Sequence, residues 1–155
     1  IQTRRRRRMK EIIVSTIFTK IIDGELPGRF VWKDEQCVAF MDIMPQSEGH
    51  LLVVPRAEID RWPDLPAELA AHLFAVVHKI SGALDDAFDK DRVALMIAGF
   101  DVPHTHIHLF PVDSMAEYDP ANAKKDATAE ELDAAAEKVR AALRKRGHGE
   151  FVPEA

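Results

Sequence analysis

Three histidines alternate with other residues in His104-Thr105-His106-Ile107-His108-Leu109-Phe110-Pro111. An extended chain turns every second side chain to the same face. A strand over this stretch therefore lines three imidazoles along one face and Thr105, Ile107 and Leu109 along the other. A buried strand needs no histidines on its second face, so the row points to chemistry. Two chemistries use such a row. The first is a metal site, in which His-x-His holds Zn²⁺ with N ligands at about 2.0–2.1 Å. The outer Cα atoms lie roughly 13 Å apart, and no carboxylate or thiolate alternates with the histidines to complete the shell. The second is nucleophilic. A neutral imidazole attacks phosphorus and forms a phospho- or nucleotidyl-histidine that water hydrolyses. A second imidazole protonates the leaving group, because it titrates near neutral pH, and a third fixes tautomer and orientation. Neighbouring imidazoles discourage double protonation, which keeps the attacking ring neutral.

Such a row needs a sheet beneath it. Ser15 to Ile22 reads as a short helix capped by Ser15, with Ile17, Phe18, Ile21 and Ile22 as its apolar side. Arg29 to Lys33 alternates, with Phe30 and Trp32 on one face, and turns through Asp34-Glu35-Gln36 into the strand Cys37–Met41. His50 opens an apolar central strand that runs to Pro55. Pro66 to Phe88 is predicted as an amphipathic helix, starting at Asp64-Leu65-Pro66 and spaced by Leu69, Leu73, Val76, Val77, Ile80, Leu84 and Phe88. His72 and His78 on it read as surface or rim residues. Val93 to Ile97 is a fourth strand, and the histidine stretch is the fifth. Thr128-Ala129-Glu130-Glu131 is a capping box. It opens a helix with Leu132, Ala135, Ala136, Val139 and Leu143 on one side, ended by Gly147. The expected fold is α+β: a five-stranded antiparallel sheet with a long helix packed on it and an extra C-terminal helix. The expected organisation is an N-terminal extension over 1–13, a main domain over 14–112, and a linker with the C-terminal helix over 113–155.

Composition narrows the function classes. The chain has 155 residues and a net charge of −5. Apart from the five consecutive arginines Arg4–Arg8, 16 basic residues face 26 acidic ones, a balance of −10. Such a body is not built to wrap a nucleic-acid backbone. The arginine run matches no element of the domain and reads as dispensable. Cys37 is the one cysteine, so no intrachain disulfide forms and a reducing compartment suits the chain. No apolar run approaches the ~20 residues that span a bilayer. The expected location is cytoplasmic.

The histidine stretch matches the pattern His-φ-His-φ-His-φ-φ and resembles the histidine triad (HIT) family, with Thr105 as its one weakly apolar φ. Thr16 to Pro27, Ala39 to Gln46 and Gly49 to Arg56 are similar to the family's preceding blocks. The likeness extends over about Ser15 to Pro111 and is closest to the Hint-like branch and bacterial HIT hydrolases. It implies a half-barrel fold that dimerises. It also implies hydrolysis of a nucleotidyl–X bond, such as a purine nucleoside phosphoramidate, through a nucleotidyl-histidine, with no cofactor. By position, His106 becomes the nucleophile. His108 contacts the α-phosphate near the leaving group, and His104 and His50 support the site. Asp42 becomes the ribose-binding acid, and Phe18, Leu26, Phe40 and Ile43 form the slot for the base. Two departures stand out. Some relatives hold zinc at positions that here read Thr16, Thr19, Glu58 and His104, so the resemblance implies no metal. Many relatives carry a phosphate-binding Asn and Gln before the triad, whereas Ile97 to Pro103 has neither and carries Asp101. A nucleotide-binding or sensor module with little turnover is the alternative, followed by a zinc enzyme on the His-x-His pair.

Overall fold

The computed structural model describes residues 15–155; the expected extension over 1–13 lies outside them. Its elements are α1 (Ile17–Ile22), β1 (Phe30–Lys33), β2 (Cys37–Met41), β3 (Leu51–Pro55), α2 (Ala67–Ala87), β4 (Arg92–Met96), β5 (Ile107–Val112) and α3 (Ala129–Lys145), with short 3₁₀ turns between them. The strands form one antiparallel sheet in the order β1-β2-β3-β5-β4. This is the α+β layout expected from the sequence.

Alternation along the central strands divides the core in two. Cys37, Ala39, Met41, Leu51, Val53, Ile107 and Leu109 face one side, where they meet Leu73, Val76, Ile80 and Leu84 of α2 and Ala135, Ala136, Val139 and Leu143 of α3. Val38, Phe40, Leu52 and Val54 face the other side and pack on Phe18 of α1. The triad lies on this second side, because His108 pairs with Leu52 in the β3–β5 ladder.

Five local expectations are corrected. Thr16, not Ser15, caps α1: its side chain accepts from Thr19 N, and Ser15 is exposed. Ile17, assigned to the apolar side of that helix, is half exposed. Phe30 and Trp32 lie on opposite faces, because Phe30 pairs with Phe40 and Trp32 with Ala39. That register shift is a bulge, which gives β1 one extra residue. It sends Phe30 toward α1 and Trp32 into the helix-side core. Finally, β5 starts at Ile107, so only His108 of the triad is within the strand. The ladder stops there because the next groups on both sides are engaged elsewhere: the Pro55 carbonyl of β3 accepts from the His104 side chain, and Thr105 N–H, ahead of β5, donates to the Ile59 carbonyl. In the long helix, Pro66 is the N-cap and Ala67 the first helical residue.

The Asp34 turn is tied to α2. Asp34 Oδ2 accepts from Trp32 Nε1 at 2.8 Å, from the Cys37 thiol at 3.4 Å and from His72 Nε2 at 2.8 Å. Against burial, Trp32, the Cys37 and Gln36 backbone N–H groups and His72 hold the Asp34 carboxyl at about 2. With its oxygens saturated by donors, this trio is a hydrogen-bonded lock and a poor cation site.

Candidate active site

His106 and His108 project side by side, with ring centroids 4.9 Å apart. Their partners fix opposite tautomers. His106 Nδ1 lies 2.8 Å from the His104 carbonyl. A carbonyl only accepts, so Nδ1 carries the proton and the Nε2 lone pair is free. His50 sits behind His108, with its Nε2 2.9 Å from His108 Nδ1. The Gln46 backbone N–H, which only donates, points at His50 Nδ1 at 2.9 Å. His50 therefore carries its proton on Nε2 and donates it to His108 Nδ1. His108 in turn holds its own proton on Nε2. The site thus presents a nucleophile at His106 Nε2 and a hydrogen-bond donor at His108 Nε2.

Burial keeps the His50, His104 and His108 rings neutral. Desolvation lowers His50 to about 3 and His108 to about 4, with a neighbouring histidine adding to each effect. Asp101 opposes the shift at His108. His104 is also lowered by burial, against the pull of the Pro55 carbonyl and Glu58. Asp42 stands at the mouth of the relay. Its Oδ1 accepts from Met44 N–H at 2.8 Å, and its Oδ2 lies 3.5 Å from His50 Nε2. Burial raises its pKa, against the Met44 bond and His106. Asp42, His50 and His108 converge closely enough for a metal ion. Their bonding opposes one, because a lone pair at His50 Nε2 is available only if the Gln46 N–H bond breaks.

The sequence-predicted slot separates into two parts. Phe18 and Phe40 are buried with ring centroids 5.7 Å apart, and Phe18 also lies edge-on to His106 at 4.8 Å. Leu26 and Ile43 are exposed, Ile43 by 66%. Phe30 packs on Phe40 at 5.8 Å and was missed, because the bulge that turns it inward leaves no mark in the residue pattern. Gln46 was missed as well, since its backbone N–H is the part that acts. Its side chain donates to the Glu117 carbonyl at 2.9 Å.

The positions where some relatives hold zinc do come together. Thr16 Oγ1 is 2.6 Å from His104 Nδ1, Thr16 N–H donates to Glu58 Oε1 at 2.9 Å, and the two threonine hydroxyls lie 3.4 Å apart. These groups do not suit zinc. Neutral threonine hydroxyls replace thiolates, and both nitrogens of His104 are taken, by Thr16 and by the Pro55 carbonyl at 2.7 Å.

Comparison with known proteins follows the same lines. The family profile described as HIT domain matches residues 23–115. An uncharacterised HIT-like protein of Methanocaldococcus jannaschii is 36% identical over 99 residues, covering 61% of this chain and 77% of that protein. The adenylylsulfatase HINT3 of Arabidopsis thaliana is 33% identical over 100 residues, covering 61% of this chain and 51% of its own length, so the chain spans about half of that relative. Among solved structures, a Hit-like protein involved in cell-cycle regulation from Bartonella henselae superposes with a TM-score of 0.73 at 33% identity, covering 83% of this chain and 96% of that one. The profile spans well over half of the chain and takes in His50 and all three triad histidines: the chain belongs to the histidine triad family.

Proposed function

We propose that the protein cleaves a nucleotidyl–X bond, with a purine nucleoside phosphoramidate or a related nucleotide as substrate, through a nucleotidyl-histidine at His106. The observation that carries this is the pair of opposite tautomers. His106 Nε2 attacks the α-phosphorus while the P–X bond breaks; His108 Nε2–H hydrogen-bonds the departing atom, and X takes its proton from solvent. Water then breaks the N–P bond and releases the nucleoside monophosphate, its second proton going to solvent, while His108 keeps its Nε2–H throughout. His50 holds the His108 tautomer and His104 offers the carbonyl that orients His106. Asp42 Oδ2 is placed to accept the ribose hydroxyls. Phe18 and Phe40 form the floor of the base slot, with Leu26 and Ile43 at its rim. The adenylylsulfatase among the relatives supports cleavage at an adenylyl group. The reaction needs no cofactor and no nucleic acid. No helix among the described residues is long and apolar enough to cross a membrane, and a cytoplasmic location with no membrane partner is part of this reading. So is a homodimer.

The test is to mix protein and an adenosine phosphoramidate, quench within one turnover in denaturant and map the adduct by mass spectrometry. An adenylyl group on His106 is the expected result. His106→Ala should lose about a thousandfold or more in turnover while still binding a nucleoside monophosphate. An adduct elsewhere, or near-normal turnover in His106→Ala, overturns the reading. A binding module with little turnover has one observation in its favour: segment 97–103 offers no side-chain amide for phosphate, and Asp101 acts on His108. Tight nucleotide binding with no adduct in single-turnover mixing would select it.

A further inference from the structure

The cluster that replaces the zinc ligands has a direction of its own. Glu58 is exposed, and against desolvation its carboxylate is held below its usual range by the Thr19 hydroxyl, the Thr16 N–H and the nearby His104 ring. Since a carboxylate only accepts, Thr19 gives its hydroxyl proton to Glu58. Thr16 Oγ1 already accepts from Thr19 N–H at 3.1 Å. Its one hydroxyl proton goes to His104 Nδ1, at 2.6 Å and much closer than Thr19 Oγ1, because the Pro55 carbonyl only accepts and so keeps the His104 proton on Nε2. His104 donates from Nε2 to the Pro55 carbonyl at 2.7 Å. The ring is thereby held at both nitrogens. The same residue's carbonyl accepts from His106 Nδ1–H. A second link runs through α1: Phe18, two residues beyond Thr16, is edge-on to both His104 and His106, at 5.7 and 4.8 Å.

We propose that Thr16, backed by Glu58, is a positioning residue for His106, acting through the His104 ring and carbonyl to keep the His106 proton on Nδ1 and its Nε2 lone pair toward the substrate. A hydroxyl clasp thus performs, with hydrogen bonds alone, the tethering that a metal ion supplies where thiolates occupy these positions. Both ends of the clasp are needed. The Pro55 carbonyl alone leaves the His104 ring held by one hydrogen bond, and the short helix α1, six residues long, then keeps only the Phe18 ring contacts with the triad. The catalytic part of this inference rests on His106 being the attacking group. The tautomer part does not.

The test therefore begins on the free protein. Ring ¹⁵N shifts of His104 and His106 are recorded for the wild type, Thr16→Ser, Thr16→Val and Glu58→Ala. The wild type and Thr16→Ser should show His106 as the Nδ1–H form. Thr16→Val should show a mixture of both forms at His106 and a changed His104. Glu58→Ala, at an exposed position that leaves the core intact, should show a smaller change of the same kind. In turnover, Thr16→Val should lose at least tenfold in kcat, with affinity for adenosine monophosphate within threefold, and Thr16→Ser should recover to within twofold. Unchanged His106 shifts in both Thr16→Val and Glu58→Ala overturn the proposal, whatever the activity. A fall in nucleotide affinity equal to the fall in kcat also overturns it, because it marks general damage to the pocket. Should the wild type cleave no nucleotide at all, the hydrolase reading fails and the ring shifts alone decide the clasp.

Discussion

His50, His104 and His108 bury rings that an unfolded chain would protonate near pH 6.5. The folded protein holds His108 at about 4 and His50 at about 3. Below pH 6.5 the unfolded state therefore binds more protons than the native state, so stability falls as pH falls. Each of these two rings contributes a slope of up to about 1.4 kcal/mol per pH unit across its own window. For His108 the window closes near pH 4, and for His50 near pH 3. Denaturant midpoints measured from pH 7.5 to 4.5 should drop steadily below pH 6.5, and His50→Gln or His108→Gln should flatten the drop. A midpoint that does not change over that range would show that the rings are not held neutral.

Elements, not residue types, bring these groups together, and the loop from Pro45 to His50 is the clearest case. It returns β2 to β3 so that Gln46 N–H meets His50 Nδ1. It is braced from outside by the polar segment after the triad: Gln46 Nε2 donates to the Glu117 carbonyl, and Lys124 N–H donates to the Pro45 carbonyl at 2.8 Å. Gly49 makes the turn possible. Its φ is +97°, and an added Cβ would lie 2.6 Å from the Phe88 ring. Gly49→Ala should cost roughly 2–4 kcal/mol, from left-handed backbone strain plus overpacking. It should also slow turnover by shifting His50. Thermal unfolding and kcat, measured together on the variant, check both statements. The bulge in β1 is braced as well. The Phe30 carbonyl accepts from Nε of the buried Arg140 at 2.8 Å, so α3 holds the strand whose Phe30 packs on Phe40.

Across the whole molecule, α3 is part of the main core. Leu143 and Val139 are fully buried against the α2 side of the sheet, and Arg146 forks onto Asp86 of α2. Leu143→Ala should therefore cost about 2–5 kcal/mol, read from a denaturant titration; a loss under 1 kcal/mol would make α3 a detachable tail. The opposite edge of the sheet is open. β4 is an edge strand, and Leu95 and Phe74 are exposed by 44% and 40% around a shallow groove shared with Val93 and Val77. An exposed apolar edge of this kind is a pairing surface, which is where the proposed homodimer would form. Light scattering at micromolar concentration should give twice the 17.4 kDa chain mass. Leu95→Lys should give a monomer, and a monomeric wild type would remove the dimer from the reading.

The sequence by itself determined whatever is written in local periodicity. The alternation of His104, His106 and His108, the helical spacing from Leu73 to Leu84 and the capping box at Thr128 each specify their own geometry within a few residues. The family resemblance rested on the histidine row together with Thr16 to Pro27 and the blocks around Asp42 and His50. The tertiary structure alone decided which proton sits on which nitrogen. The Gln46 and Thr16 contacts that set the tautomers use a backbone N–H, which no residue type reports, and a hydroxyl that any threonine carries. The His50–His108 and Thr16–His104 partners are 58 and 88 residues apart, so only the sheet order β3-β5 and the return of α1 over it bring them within bonding distance. The same holds for the bulge in β1 and the early end of β5. Each is a competition between hydrogen-bond partners from distant segments, and the winner is fixed by packing, not by the residues of the strand itself.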